Sequence, residues 1–204
     1  FQETTTSAEA PARSAPEPSA APPAPGVYTF DASGTEEVKL GALPAEYRPY
    51  PETVPVTIVA ADEGCFTVTV NLLEQHTEDT TYCTGDDGSL QLDDHTKHQQ
   101  VGAMSPTAAM SCSQATLYDP DGTGEFGCEL ALAVGPTSIS ADLDGTSEAS
   151  NDRVDVDGET VDALRLDISY AISGDLTGEW TESLWLRERD RLPVRIERHL
   201  ALKG

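Results

Sequence analysis

The sequence predicts a mainly β fold: a curved antiparallel sheet in a half-barrel-like meander, with one or two short helices. Three observations carry that prediction. Short apolar stretches alternate with polar residues at period two. Asp-Gly, Gly-Pro and Ser-Gly-Asp turn chemistry recurs between them. No long amphipathic helical face is present, so helices can only be short covers on the sheet.

The first stretch, FQETTTSAEAPARSAPEPSAAPPAPG, holds six of the fourteen prolines and almost no large apolar residue. It cannot bury enough surface to fold, and its Pro/Ala/Ser/Glu mixture reads as a semi-rigid spacer. Residues 1–26 are therefore expected to be a tether, and residues 27–204 one β-rich domain. Because the chain opens on Phe rather than Met, it reads as a processed or truncated form. A secretion signal, lipid anchor or membrane helix before Phe1 would give the tether a purpose.

After the entry strand GVYTF come TVPVTIVAAD and CFTVTVNLL, in which Val54, Val56 and Ile58, then Phe66, Val68, Val70 and Leu72, occupy alternate positions. The Ala-Asp-Glu-Gly link between them predicts a hairpin. Two segments carry weak helix signals. Ser105-Pro106 followed by Thr-Ala-Ala-Met has an N-cap and a proline at the first helical position, and DDHTKHQQVGAM reads as a helix or a loop. VDALRLDISYAIS gives the clearest strand, with Leu164, Leu166, Ile168, Tyr170 and Ile172 on one face and Arg165, Asp167 and Ser169 on the other. GEWTESLWLRE and RLPVRIERHLAL continue the up-and-down order.

Asp and Glu outnumber Lys and Arg by 36 to 12, a net charge of −24. Such a surface repels phosphates, which argues against nucleic-acid binding and favours divalent or basic partners. No run of about 18 apolar residues is present, so the only membrane association expected is through an upstream anchor. The four cysteines, Cys65, Cys83, Cys112 and Cys128, form no C-x-x-C pair. Two disulfides in an oxidising, extracytoplasmic compartment are expected, Cys65 with Cys83 and Cys112 with Cys128 because each pair spans neighbouring strands.

Chemistry-bearing motifs are few. Gly122, Gly124 and Gly127 spell G-x-G-x-x-G, but one strand-like run follows instead of a long helix, and the acidic lead-in would repel a pyrophosphate. In the same DPDGTGE stretch Asp119, Asp121 and Glu125 offer oxygen ligands at alternate positions. Calcium there is the metal candidate against a plain Asp-Gly turn. His95 and His98 lie near Asp93 and Asp94, with His76 upstream, but the spacing is not H-E-x-x-H and a polar loop is the better reading. With no nucleophile elbow, P-loop or redox pair, neither an enzyme nor an organic cofactor is expected.

The closing stretch SLWLRERDRLPVRIERH gathers five of the nine arginines. At period two they read as the charge-laced arms of a hairpin, paired with Glu182, Glu188, Asp190 and Glu197. Arg198 fits less well, because it shares a face with Val194, Ile196 and Leu200, opposite Arg195. Trp185 before the turn and Leu192-Pro193-Val194-Arg195 after it resemble the late hairpin of LolA/LppX-like lipoprotein carriers and related actinobacterial envelope lipoproteins, with Arg191 standing where that turn usually has Gly.

The resemblance implies a half-barrel closed by short helices around an apolar cavity. Independently of it, the apolar and aromatic residues Leu164, Leu166, Ile168, Tyr170 and Trp185 offer a ligand face if helices leave the sheet open, against the reading that they are simply core. The leading expectation is a secreted or anchored, monomeric, non-enzymatic domain holding a lipid-like ligand. The alternative is an envelope structural or protein-interaction domain with a filled core, stabilised by calcium if the acidic turn binds it.

Overall fold

The computed structural model describes residues 22–62, 64–120 and 124–203. Most of the predicted tether lies outside them. Thirteen strands follow one another: β1 (Gly26–Asp31), β2 (Thr35–Val38), β3 (Glu46–Pro49), β4 (Thr53–Ala60), β5 (Cys65–Leu73), β6 (His76–Thr84), β7 (Leu90–Gln99), β8 (Thr107–Tyr118), β9 (Gly124–Val134), β10 (Thr137–Val156), β11 (Glu159–Gly174), β12 (Thr177–Arg187) and β13 (Pro193–Lys203). Eleven of them form one antiparallel meander in the order β1-β4-β5-β6-β7-β8-β9-β10-β11-β12-β13. β2 and β3 form a separate hairpin, here called the strap with its flanks at residues 32–50.

The sheet is a strongly curled half-barrel. β10 and β13 are three places apart in the strand order, yet their Cα atoms come within 8 Å, as do those of β8 and β11. Flat neighbours at ordinary strand spacing would be about 14 Å apart at that remove. One device for the bend is Gly145 on β10. A Cβ there would meet the Phe126 ring at 2.3 Å, so glycine lets the β9 aromatic lie against the β10 backbone.

The alternation read in the sequence sets the faces. Val54, Val56, Ile58, Phe66, Val68, Val70, Leu164, Leu166, Ile168 and Ile172 all point to the concave side and join one cluster whose buried members are only 0–8% exposed. Burying each of these side chains stabilises by about 1.5–3 kcal/mol. The predicted β4–β5 hairpin is present, with Val56 opposite Val70 and Ile58 opposite Val68. Cys65 pairs with Cys83 and Cys112 with Cys128, each at disulfide distance between directly opposed residues.

The predicted helices are corrected: among the described residues there are none. Thr107–Met110 begins β8, where Ala108 and Met110 alternate inward and pair with β7 and β9. DDHTKHQ lies in β7, whose register slips between Leu92 and Asp94. That irregularity brings Leu90, Leu92 and then His95 to the concave side and hides the strand from a strict period-two reading. Tertiary pairing here overrides a weak local preference.

Candidate functional site

The concave face carries charge where an apolar core is ordinarily found. On β6 the alternate residues His76, Glu78, Thr80 and Tyr82 all point inward and are buried. Arg198 of β13 reaches across the half-barrel to Glu78, 120 residues away in sequence, and its Nε donates to Glu182 of β12 at 2.5 Å. Lys97 of β7 stands 3.8 Å from Glu78. Burial alone would push the Glu78 carboxyl up, but Arg198, helped by His76 and Lys97, holds it well below the usual carboxylate range.

The same chain continues into the strap. His76, 1% exposed, places Nε2 2.9 Å from Glu78 and Nδ1 2.6 Å from Glu36 of β2. Burial would lower the titration of this imidazole, but its two carboxylate partners raise it above the ordinary histidine value. Glu36 also accepts from Gln99 Nε2 at 3.1 Å and from Arg48 at 3.2 Å. Burial would raise Glu36, and His76, Lys97 and Arg48 together lower it. Arg48 of β3 donates to the Gln100 carbonyl at 2.6 Å, and Glu46 accepts from the Gly102 amide at 3.1 Å. The strap thus crosses from the β1–β4 edge to the β6–β8 end, held to the sheet there by polar contacts. Tyr50, at its far end, is pushed up to about 12 by burial and by the nearby Glu36 and Glu78 charges.

Beside this charge lies an aromatic row. Phe126 meets Tyr170 edge-on at 5.6 Å, Tyr170 stacks on Trp180 at 4.8 Å, and Trp180 lies 5.1 Å from His95. His95 accepts from or donates to Thr80 at 2.9 Å, and burial pushes its titration down to about 3, so its ring is neutral. The space left between the walls at this point is about 10 Å³, lined by Tyr82, Leu92, Tyr170, Trp180, Glu182 and Arg198 among others. That is room for roughly one water molecule. A broad, shallow and open depression of about 770 Å³ lies over β9 to β12, lined by outward-facing residues such as Glu125, Asp144, Ser169 and Glu179 and reaching Phe126 and Tyr170.

Of the five residues expected to form a ligand face, Leu164, Leu166, Ile168 and Tyr170 do share the concave side. Trp185 does not, and is corrected to the convex face. It lies opposite Arg165, is 4% exposed, and packs with Val154 and Ala163. Its Nε1–H donates to Asp152 at 2.8 Å, while the guanidiniums of Arg165 and Arg195 cover its ring at 4.9 and 4.8 Å. The alternation Trp180, Glu182, Leu184, Leu186 excludes position 185 from the inner face. Val194 is also corrected: a register shift between Trp185 and Leu186 turns it toward Trp185, away from Ile196.

Asp121 and Gly122 lie outside the described residues. Asp119 follows the end of β8 and Glu125 sits on the convex face of β9. Gly124 serves packing, since a Cβ there would meet the Thr116 carbonyl at 2.1 Å. Among the described residues no group of three His, Cys, Asp or Glu side chains is arranged to hold a metal. His95 and His98, expected in a loop, stand on opposite faces of β7, one inward and one beside Asp79 at 3.8 Å. Arg191 takes a left-handed backbone with φ of 53°, the conformation that makes Gly usual at such a turn. Its guanidinium lies 5.3 Å from the Tyr118 ring.

No family model matches the chain, and neither does any curated protein or solved structure.

Proposed function

We propose that this is a non-enzymatic extracytoplasmic domain that works as a filled half-barrel, an envelope structural or protein-interaction unit, and not as a carrier of apolar ligands. One observation carries the reading. The residues that would line a ligand cavity pack against each other at 0–8% exposure and leave about 10 Å³ between the walls, whereas small-molecule pockets run to about 300–1,000 Å³. The depression of about 770 Å³ over β9 to β12 is of that size but is an open dish lined mostly by exposed residues, not an enclosed cavity. Two cysteine pairs at disulfide distance fit an oxidising compartment. The net charge of −24 favours cationic partners on the outer surface.

Displacement of a fluorescent fatty acid tests this choice. The expected outcome is no saturable binding at micromolar probe. Saturable, stoichiometric uptake would return the domain to the carriers that its closing hairpin resembles.

A further inference from the structure

The strap is fastened differently from the rest of the fold. Of residues 32–50 only Ala32 packs against the main core, and Leu43 and Tyr47 face outward at 39% and 67% exposure. What joins its far side to the sheet is polar: Glu36 to His76 and Gln99, Arg48 to the Gln100 carbonyl, and Glu46 to the Gly102 amide. The Glu36–His76 contact is 2.6 Å long, though Nδ1 is not well aligned on the carboxylate.

We infer that the strap is a releasable flap over one end of the half-barrel, latched to β6 by the protonated His76 ring, whose Nδ1 faces Glu36 and whose Nε2 faces Glu78. Groups from every neighbouring element bear on that ring: Glu36 from β2, Arg48 from β3 through Glu36, Tyr50 near Glu36 and Glu78, Glu78 on β6, Lys97 and His95 on β7, and Arg198 on β13. The carboxylates favour the charged imidazole and the cations oppose it. When His76 is neutral it keeps one N–H for two carboxylates. Glu78 still has Arg198, whereas the strap's Glu36 keeps only Lys97, the lesser of its two cationic partners on the sheet.

The direction follows from linkage. A histidine raised in the closed state favours closure below its open-state value near 6.5, and that contribution is lost as pH rises through the closed-state value. Glu36, lowered in the closed state, sets the acid limit: its contribution is lost as pH falls through its closed-state value. The flap is therefore closed in mildly acid solution and loosens as pH rises through the raised closed-state titration of His76.

Two-dimensional NMR on the full chain reads this directly. Contacts between Glu36 and His76 and between Arg48 and Gln100 would be followed from about pH 5.5 to about pH 9.5, with the His76 ring titrated in the same sample. Exchange of the Gly102 amide would be corrected for its intrinsic pH dependence. The expected result is loss of these contacts as the ring deprotonates, with Gly102 protection falling up to about tenfold per unit by which His76 is raised, while β10 and β11 amides stay protected. His76→Gln should remove the pH dependence. The inference is overturned if the contacts persist through the titration, if His76→Gln keeps the wild-type profile, if the strap is lost only together with β10 and β11, or if the ring titrates below the ordinary histidine value.

Discussion

Arg195 and Arg198 stand three residues apart on β13, and they pair in different media. Arg195 is on the convex face, with 53% of its side chain exposed; it pairs with Glu197 and covers the Trp185 ring. Arg198 turns to the concave face at 19% exposure, between Glu78 and Glu182. Both were visible in the sequence as members of one arginine-rich hairpin. Water screens the first pair, which is worth at most about 1 kcal/mol. The second is different: removing its guanidinium would leave two carboxylates facing each other among apolar side chains. The same residue type is decoration on one side of a sheet and a wall tie on the other, and the pleat decides which.

Breaking the concave arrangement should have the largest effect. Arg198→Ala should lower the unfolding free energy by about 3–5 kcal/mol in chemical denaturation, because β6 loses its bond to β12 and β13. A loss below about 1 kcal/mol would mean that the ion chain is not buried as described. Acid sharpens the same contrast. Glu78 is held below the usual carboxylate range, so its stabilisation is present above the unfolded value near 4.5 and is lost as pH falls toward the folded value. Thermal melts below about pH 4 should decline steeply in the wild type and less in Glu78→Gln, which begins less stable. Equal slopes would count against the assignment. The smallest effect is expected outside: Arg195→Ala should cost about 1 kcal/mol or less.

The sequence made the strands with unbroken alternation legible. β4, β5 and β11 carry Val, Ile and Leu at every second position and could be read from period alone, as could the pairing of the cysteines across adjacent strands. β6 and β7 were harder. On β6 the inward positions are His76, Glu78 and Thr80, polar residues that give no hydrophobic period, and on β7 a register shift breaks the alternation. The charged site was hidden for the same reason, because its members come from β2, β6, β7, β12 and β13 and meet only when the sheet curls. One trace was available: Glu182 and Arg198 each interrupt an otherwise apolar stripe, and two opposite charges on facing stripes point to each other. Trp185 misleads when it is grouped with the apolar residues of β11, because its pairing opposite Arg165 and its parity with Ser183 assign it outward.

That the half-barrel is filled by its own side chains can be tested through Trp180, which is 7% exposed at the centre of the aromatic row. Trp185→Phe leaves it as the single tryptophan of the chain. Its fluorescence would be recorded with increasing brominated fatty acid, a contact quencher that acts only where an acyl chain reaches the ring. Emission that stays blue-shifted and unquenched is the predicted result. Saturable quenching would show an acyl chain entering between the walls and would contradict the filled core.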